Sequence, residues 1–220
     1  MKMLALEFSS PRRSVAVAEV AENGCRLLAE ISDRADGQQG ALKMVALTLD
    51  QARVRRKEIE AIAVGLGPGS YTGIRMAIAL AQGWQLARGV KLLGASSVAA
   101  LARHAWTTDC RGRIGVGVDA QRGDYYLANY EVTDAGVVER RAVRIVPKAE
   151  LEETIAVNEL LLMPENTPAV PGARTLFPTA ADVAVLAAGS AAIGEGGALE
   201  PVYLRPVSFV KNPAPKPLPL

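Results

Sequence analysis

The sequence predicts an α/β protein made of two similar lobes in tandem. Short apolar strands alternate with amphipathic helices, and a run of three consecutive strands occurs twice along the chain. Half of the 220 residues are hydrophobic, which is ample for a buried core. With 25 Lys and Arg against 23 Asp and Glu, the net charge of +2 gives no general case for nucleic-acid binding through a basic face.

The first lobe opens with a predicted antiparallel meander, because three short apolar strands follow one another with only turn residues between them. The helix after the meander places apolar residues at helical spacing and has more apolar surface than one core face needs. The predicted elements are strands at 4–8, 14–19 and 26–31, a helix at 41–53, a strand at 61–64, a helix at about 70–87 and a strand at 91–94.

The second lobe repeats this order in a shorter form. Its predicted elements are a helix around 99–106, strands at 114–119, 124–131 and 137–146, a helix at 148–156, a strand at 159–163 and a helix at 179–193. This order is that of a ribonuclease-H-like unit, and two such units in tandem suggest the actin-like ATPase class. We expect the first lobe at residues 1–98, the reduced second lobe at 99–211 and a mobile proline-rich tail at 212–220.

A glycine-rich loop between the strand at 61–64 and the next helix is the strongest local motif. It begins at Gly65 and lacks both the Lys of a P-loop and a correctly spaced third glycine for a dinucleotide fingerprint. Gly67, Gly69 and Ser70 can still leave amides open to an anion, so they are candidates for a vestigial phosphate loop. The other interpretation, which the loop alone favours, is a tight turn that needs glycine whether or not anything binds there.

Four blocks of sequence resemble the TsaB family of bacterial tRNA threonylcarbamoyladenosine biosynthesis proteins. These blocks are 4–7 with 14–17, 67–75 with 81–83, 118–126 and 200–205, and their order and spacing extend the resemblance over most of the chain. The resemblance implies a noncatalytic scaffold and activator in a complex that transfers a threonylcarbamoyl group to the adenosine beside the tRNA anticodon. It also implies the two-lobed actin-like fold.

The same resemblance implies the partners. They are a TsaD-like catalytic paralogue and a TsaE-like ATPase, with tRNA reached through the complex and a homodimer possible when the chain is alone. ATP and metal are implied only for the partner subunits, so no cofactor is expected here. The N-terminus lacks the apolar core of a signal peptide, and the longest apolar stretches fall short of the ~18 residues of a membrane span, so we expect a cytoplasmic protein.

No catalytic residue and no metal site are predicted. The only histidine, His104, lies in a predicted helix without the H-x-x-x-H pair of the catalytic paralogue, and we expect it to be structural. The first strand ends in Glu7-Phe8-Ser9, where the family usually has Asp, Thr and a small residue, and this makes nucleotide binding doubtful. Asp119 is expected to accept backbone amides in a hairpin turn rather than to act as a catalytic acid.

The two helices of the first lobe are the predicted partner interface, because the resemblance places the contact there and both helices have excess apolar surface. The candidate residues are Leu42, Val45 and Leu49 on the first helix and Ile74, Ile78 and Gln82 on the second. The alternative is that all six pack inside the lobe. A second function also remains open, that of an independent actin-like small-molecule kinase or ATPase, which would need two phosphate-binding loops and an Asp that positions a metal.

Overall fold

A computed structural model gives the structure of residues 1–34, 40–157, 159–165, 170–189 and 199–202. The strands are β1 (Lys2–Glu7), β2 (Arg12–Ala21), β3 (Gly24–Arg34), β4 (Ala61–Gly65), β5 (Lys91–Ala95), β6 (Gly112–Asp119), β7 (Asp124–Thr133), β8 (Gly136–Pro147), β9 (Leu160–Met163) and β10 (Arg174–Thr175). The helices are α1 (Ala41–Gln51), α2 (Tyr71–Arg88), α3 (Ser97–Thr107), α4 (Lys148–Ala156) and α5 (Ala180–Ala188). Among the elements of these described segments, the two-residue strand β10 and a 3-10 turn at Arg56–Glu58 were not predicted.

Two five-stranded mixed sheets form the two lobes, which confirms the predicted fold class. The first sheet has the order β3-β2-β1-β4-β5, and the second has the order β10-β9-β6-β7-β8. In each sheet three antiparallel strands come first in sequence, and the later strands join in parallel beside the first strand of the meander. The second lobe therefore repeats the topology of the first.

The first sheet is covered on both faces. Alternate residues of β1 point to opposite sides, as in any strand. Leu4 and Leu6 belong to the cluster that α1 and α2 complete, whereas Met3 and Ala5 belong to a cluster of small residues completed by α5. The helix α5 was predicted within the second lobe, but it packs against β1, β2 and β3 of the first sheet.

The second sheet lies between α3 and α4. Its core on one side joins α3 to β6, β7 and β8, and on the other side Gly115 and Gly117 leave room for the side chains of Thr154 and Leu151 from α4. No helix in the part of the chain that the structure describes is long and apolar enough to cross a membrane. The predicted tail at 212–220 lies outside the described residues.

Candidate functional site

The glycine loop between β4 and α2 lies directly against the turn that follows β1. A Cβ atom on Gly69 would stand 2.2 Å from the carbonyl oxygen of Ser9, and one on Gly73 would stand 1.9 Å from the carbonyl oxygen of Phe8. Both distances are far shorter than any contact a side chain can make. Glycine is therefore required here so that the start of α2 can approach the β1–β2 turn.

The amides of Gly67 and Ser70 in this loop are bonded within the protein. Gly67 donates its N–H to the hydroxyl of Ser97 at 3.0 Å, and Ser70 donates its N–H to the carbonyl of Ser9 at 2.7 Å. The hydroxyl of Ser70 caps α2 by accepting the N–H of Gly73 at 3.3 Å. These contacts agree with the interpretation of the loop as a tight turn. The role of Gly67, Gly69 and Ser70 as a phosphate loop stays a prediction.

Glu7, the last residue of β1, is fully buried at the base of the loop. One carboxylate oxygen accepts the N–H of Ser9 at 2.7 Å, and the other accepts the hydroxyl of Ser97 at 2.7 Å. Burial raises the pKa of Glu7 above its ordinary value, and the hydrogen bonds from Ser9 and Ser97 offset part of that rise. The sequence marked Glu7 as unusual, but it gave no sign that Ser97 is its partner.

A cleft of about 750 Å³ lies between the two lobes. Residues of the β1–β2 turn, the start of α2 and the β6–β7 turn line it, among them Ser10, Tyr71, Asp119 and Gln121. As predicted, Asp119 accepts the backbone N–H of Gln121 at 2.7 Å, and the side-chain amide of Gln121 also lies 3.2 Å from this carboxylate. The carboxylate of Asp119 is thus engaged within its own turn.

His104 lies on α3, outside the residues that line this cleft. Its Nδ1 atom is 3.2 Å from one oxygen of Asp182 on α5, and the Nε atom of Arg103 is 3.2 Å from the other. Thr179 donates its hydroxyl to the same carboxylate at 2.6 Å. His104 therefore helps to join α3 to α5, in agreement with the structural role expected of it. Among the described residues no three His, Cys, Asp or Glu side chains form a group that could hold a metal ion.

The predicted interface residues divide into buried and exposed positions. Val45, Leu49, Ile74 and Ile78 are buried and form part of the core cluster of the first lobe. Leu42 is 70% exposed, and Gln82 is half-buried. These residues were predicted from apolar residues at helical spacing, a pattern that is equally typical of the side of a helix that faces the core and of a side that binds a partner. Their role as a partner interface stays a prediction.

The outer surfaces of α1 and α2 nevertheless carry an apolar patch, which we call the α1–α2 face. It consists of exposed Leu42, Ala46, Ala79, Gly83, Leu86 and Ala87. A groove of about 340 Å³ joins Leu42 on α1 to the α2 part of this face, and Leu80, Trp84 and the charged Arg56 also line it. Small residues at 79, 83 and 87 recur every four positions, so they form one stripe along α2. This stripe leaves room for close approach by another helix.

Comparison with known proteins agrees with the fold. Residues 36–175 match the family described as TsaD: tRNA N6-adenosine threonylcarbamoyltransferase. The solved structure of YeaZ from Pseudomonas aeruginosa is 27% identical with a TM-score of 0.70, over 92% of this chain and 99% of that one. A second structure, described as an uncharacterized protein with similarity to peptidase YEAZ from Pseudomonas aeruginosa, is 27% identical with a TM-score of 0.72, over 93% and 99%.

Curated relatives carry the name tRNA threonylcarbamoyladenosine biosynthesis protein TsaB. The protein from Escherichia coli K12 is 33% identical over 113 residues, which are 51% of this chain and 49% of the relative. That from Buchnera aphidicola subsp. Schizaphis graminum is 34% identical over 89 residues, 40% of this chain and 42% of the relative. The chain thus spans about half the length of the curated relatives it matches. Because residues 36–175 are more than half of the chain, it belongs to the TsaD family, and the relatives named TsaB confirm the resemblance predicted from the sequence.

Proposed function

We propose that the chain is a noncatalytic scaffold and activator subunit of a complex that transfers a threonylcarbamoyl group to the adenosine beside the tRNA anticodon. The family membership and the names of the relatives support the pathway. The observation that carries the scaffold role is the α1–α2 face, which the described residues leave exposed, because soluble proteins seldom leave an apolar patch without a partner.

Three positions support a noncatalytic role. A group that transfers protons or binds a reacting metal must face the substrate with a free donor or acceptor. Glu7 is fully buried, Asp119 is bonded to its own turn, and His104 is paired with Asp182 away from the cleft. We therefore assign the chemistry of transfer to the TsaD-like partner. In this proposal the TsaE-like ATPase and tRNA are reached through the complex.

The α1–α2 face fits a helical partner surface. Its stripe of Ala79, Gly83 and Ala87 has no large side chain, so a second helix can approach the backbone of α2 closely. Leu42 and Leu86, which are 70% and 89% exposed, flank the stripe and supply apolar area for burial. In the absence of the partner, a second copy of the chain can cover the same face.

The first experiment is co-purification with the TsaD-like protein of the same organism, followed by threonylcarbamoyl transfer to tRNA with and without this chain. Interface variants must spare the core, so charges at the buried Val45 and Ile78 are unsuitable. Leu42→Glu with Gly83→Leu changes only exposed positions, and a Cβ on Gly83 meets nothing within 4 Å. We expect this double variant to stay folded and to weaken the complex by at least about tenfold.

Val157→Glu is the matched control, because Val157 is a 66% exposed apolar residue at the end of α4 in the other lobe. The complex and the transfer activity should be unchanged in this variant. Wild-type protein that forms no complex, or a double variant that binds like wild type, would contradict the scaffold proposal. Detectable ATP turnover by the isolated chain would favour an independent kinase or ATPase instead.

A further inference from the structure

The buried carboxylate of Glu7 connects three segments that are distant in sequence. It accepts the N–H of Ser9 in the β1–β2 turn and the hydroxyl of Ser97 in the first turn of α3, both at 2.7 Å. Ser97 in turn accepts the N–H of Gly67 at 3.0 Å, while its own N–H donates to the carbonyl of Gly67 at 2.9 Å. Glu7 therefore reaches the glycine loop through a single intervening side chain.

A second route leads from Glu7 to α2. Ser9, whose N–H is bound by the carboxylate, accepts the N–H of Ser70 on its carbonyl oxygen at 2.7 Å. Ser70 is the N-cap of α2, and its hydroxyl accepts the N–H of Gly73. The orientation of the β1–β2 turn thus fixes where α2 begins. That helix carries most of the α1–α2 face.

The surroundings leave Glu7 little freedom. A Cβ on Gly65 would stand 1.9 Å from the Oε2 atom of Glu7, so the carboxylate fills the space above β4. Ser97 is 2% exposed, and Glu7 is 0% exposed. Buried hydrogen-bonded groups are expensive to leave without a partner, so removal of one acceptor affects every segment bonded to it.

We infer that Glu7 is a positioning residue that holds the glycine loop and the first turn of α2 in place, and thereby sets the α1–α2 face for its partner. The part concerning the partner rests on the proposed function, whereas the part concerning the loop does not. Glu7 acts through Ser9 and Ser97, the two residues whose hydrogen bonds its carboxylate accepts.

Two substitutions at Glu7 separate hydrogen bonding from the filling of space. Glu7→Met keeps a side chain of similar length but removes both acceptor oxygens. Glu7→Gln keeps one acceptor for the N–H of Ser9, and its amide can donate to the hydroxyl of Ser97. We expect amide hydrogen exchange at Gly67, Ser70 and Gly73 to be about tenfold faster in Glu7→Met and close to wild type in Glu7→Gln. Affinity for the TsaD-like protein should fall about tenfold in Glu7→Met only.

Glu30→Met is the matched control. Glu30 is a largely buried carboxylate that accepts the N–H of Ala181 in α5 at 3.0 Å, so its loss should speed exchange at Ala181 and leave the glycine loop unchanged. Should Glu7→Met fail to fold, Ser97→Ala takes its place. This variant breaks only the route through Ser97, so exchange should be faster at Gly67 and close to wild type at Ser70 and Gly73, which are held through Ser9. Unchanged exchange at Gly67 would overturn the inference.

Equal rates of amide hydrogen exchange in the loop of Glu7→Met, Glu7→Gln and wild type would overturn the inference. That result is expected if the Glu7 side chain only fills space. Faster exchange in both Glu7 variants would also overturn it, since the conservative variant must rescue the loop. A wild-type chain that does not bind the TsaD-like protein would refute the proposed function, while the exchange data would still decide the role of Glu7 in the loop.

Discussion

Glu7 and Asp119 occupy matching places in the two lobes, and yet they do different things. Each is the last residue of the first strand of its meander, and each accepts the N–H of the residue two positions later at 2.7 Å. Glu7 is fully buried and also binds Ser97 of helix α3, whereas Asp119 is exposed and, among the described residues, is bonded to Gln121 of its own turn. The same local hydrogen bond thus occurs in both lobes, but the carboxylate connects segments distant in sequence only in the first lobe, where packing buries it.

The largest effect on stability should come from adding a side chain where the start of α2 packs against the end of β1, close to Glu7. Gly73→Ala places a Cβ 1.9 Å from the carbonyl oxygen of Phe8, and backbone cannot move aside cheaply. We expect a loss of about 3 kcal/mol in unfolding free energy, or about 6–12 °C in Tm for a chain of this size, although alanine favours helix more than glycine does.

Gly123, in the turn that follows Asp119, serves as the comparison, because a Cβ there meets nothing within 4 Å and only the φ of +83° opposes a side chain. Gly123→Ala should cost about 1 kcal/mol. Chemical denaturation of both variants measures the difference. Similar losses of unfolding free energy in the two variants would mean that the surroundings of Gly73 are no more tightly packed than those of Gly123.

An intermediate effect is expected from pH. Because burial raises the pKa of Glu7 above its ordinary value of 4.5, the native state binds that proton more tightly than the unfolded state does. The stability linked to Glu7 is fully present below 4.5 and is lost as pH rises through the folded-state pKa. Unfolding free energies measured between pH 4.5 and 8 should therefore fall more steeply in wild type than in Glu7→Gln. Parallel curves would contradict this.

Glu58 provides a control of opposite sign. Hydrogen bonds from Lys2 and Arg55 lower the pKa of Glu58 to about 2. Its contribution is present above the unfolded-state value and is lost as pH falls toward 2. Glu58→Gln should therefore flatten only the acidic end of the stability curve and leave the range above pH 4.5 with its wild-type slope.

The smallest effect should come from the β6–β7 turn itself. Gln121 and Arg122 have φ values of +66° and +61°, a region that side chains other than Asn and Asp rarely adopt. Arg122→Asn creates an Asn-Gly pair that suits this turn, and we expect a gain of about 0.5 kcal/mol in unfolding free energy. Arg122→Ala removes the same side chain without that tolerance, so it should bring no gain. Equal stability of the two variants would show that strain in this turn is negligible.

Local patterns were sufficient to predict most of the fold. Strand alternation and helical spacing identified the strands and helices, and Asp119 was placed correctly because its partner is only two residues away. The bond between Glu7 and Ser97 joins residues 90 positions apart, and no local spacing encodes it. The two-residue strand β10 is too short to give a periodic signal.

The candidate interface was harder to predict for a physical reason. Val45 and Ile78 lie on helices with apolar residues on more than one face, so spacing alone could not separate core positions from surface ones. The same applies to α5, whose sequence is apolar nearly all round and gave no indication of which sheet it would cover. Only packing distinguishes these choices. The lobe boundary at residues 98 and 99 stays a prediction.

The position of α5 has a consequence for the order in which the chain can fold during synthesis. The first sheet is complete once β5 has been made, but its face of Met3, Ala5, Ala16, Ala61 and Ala63 is covered by a helix at Ala180–Ala188. A ribosome must therefore make almost the whole second lobe before the first lobe can bury this face of its sheet. Until then the nascent protein carries an open apolar surface, and a fragment ending at residue 98 would keep it permanently.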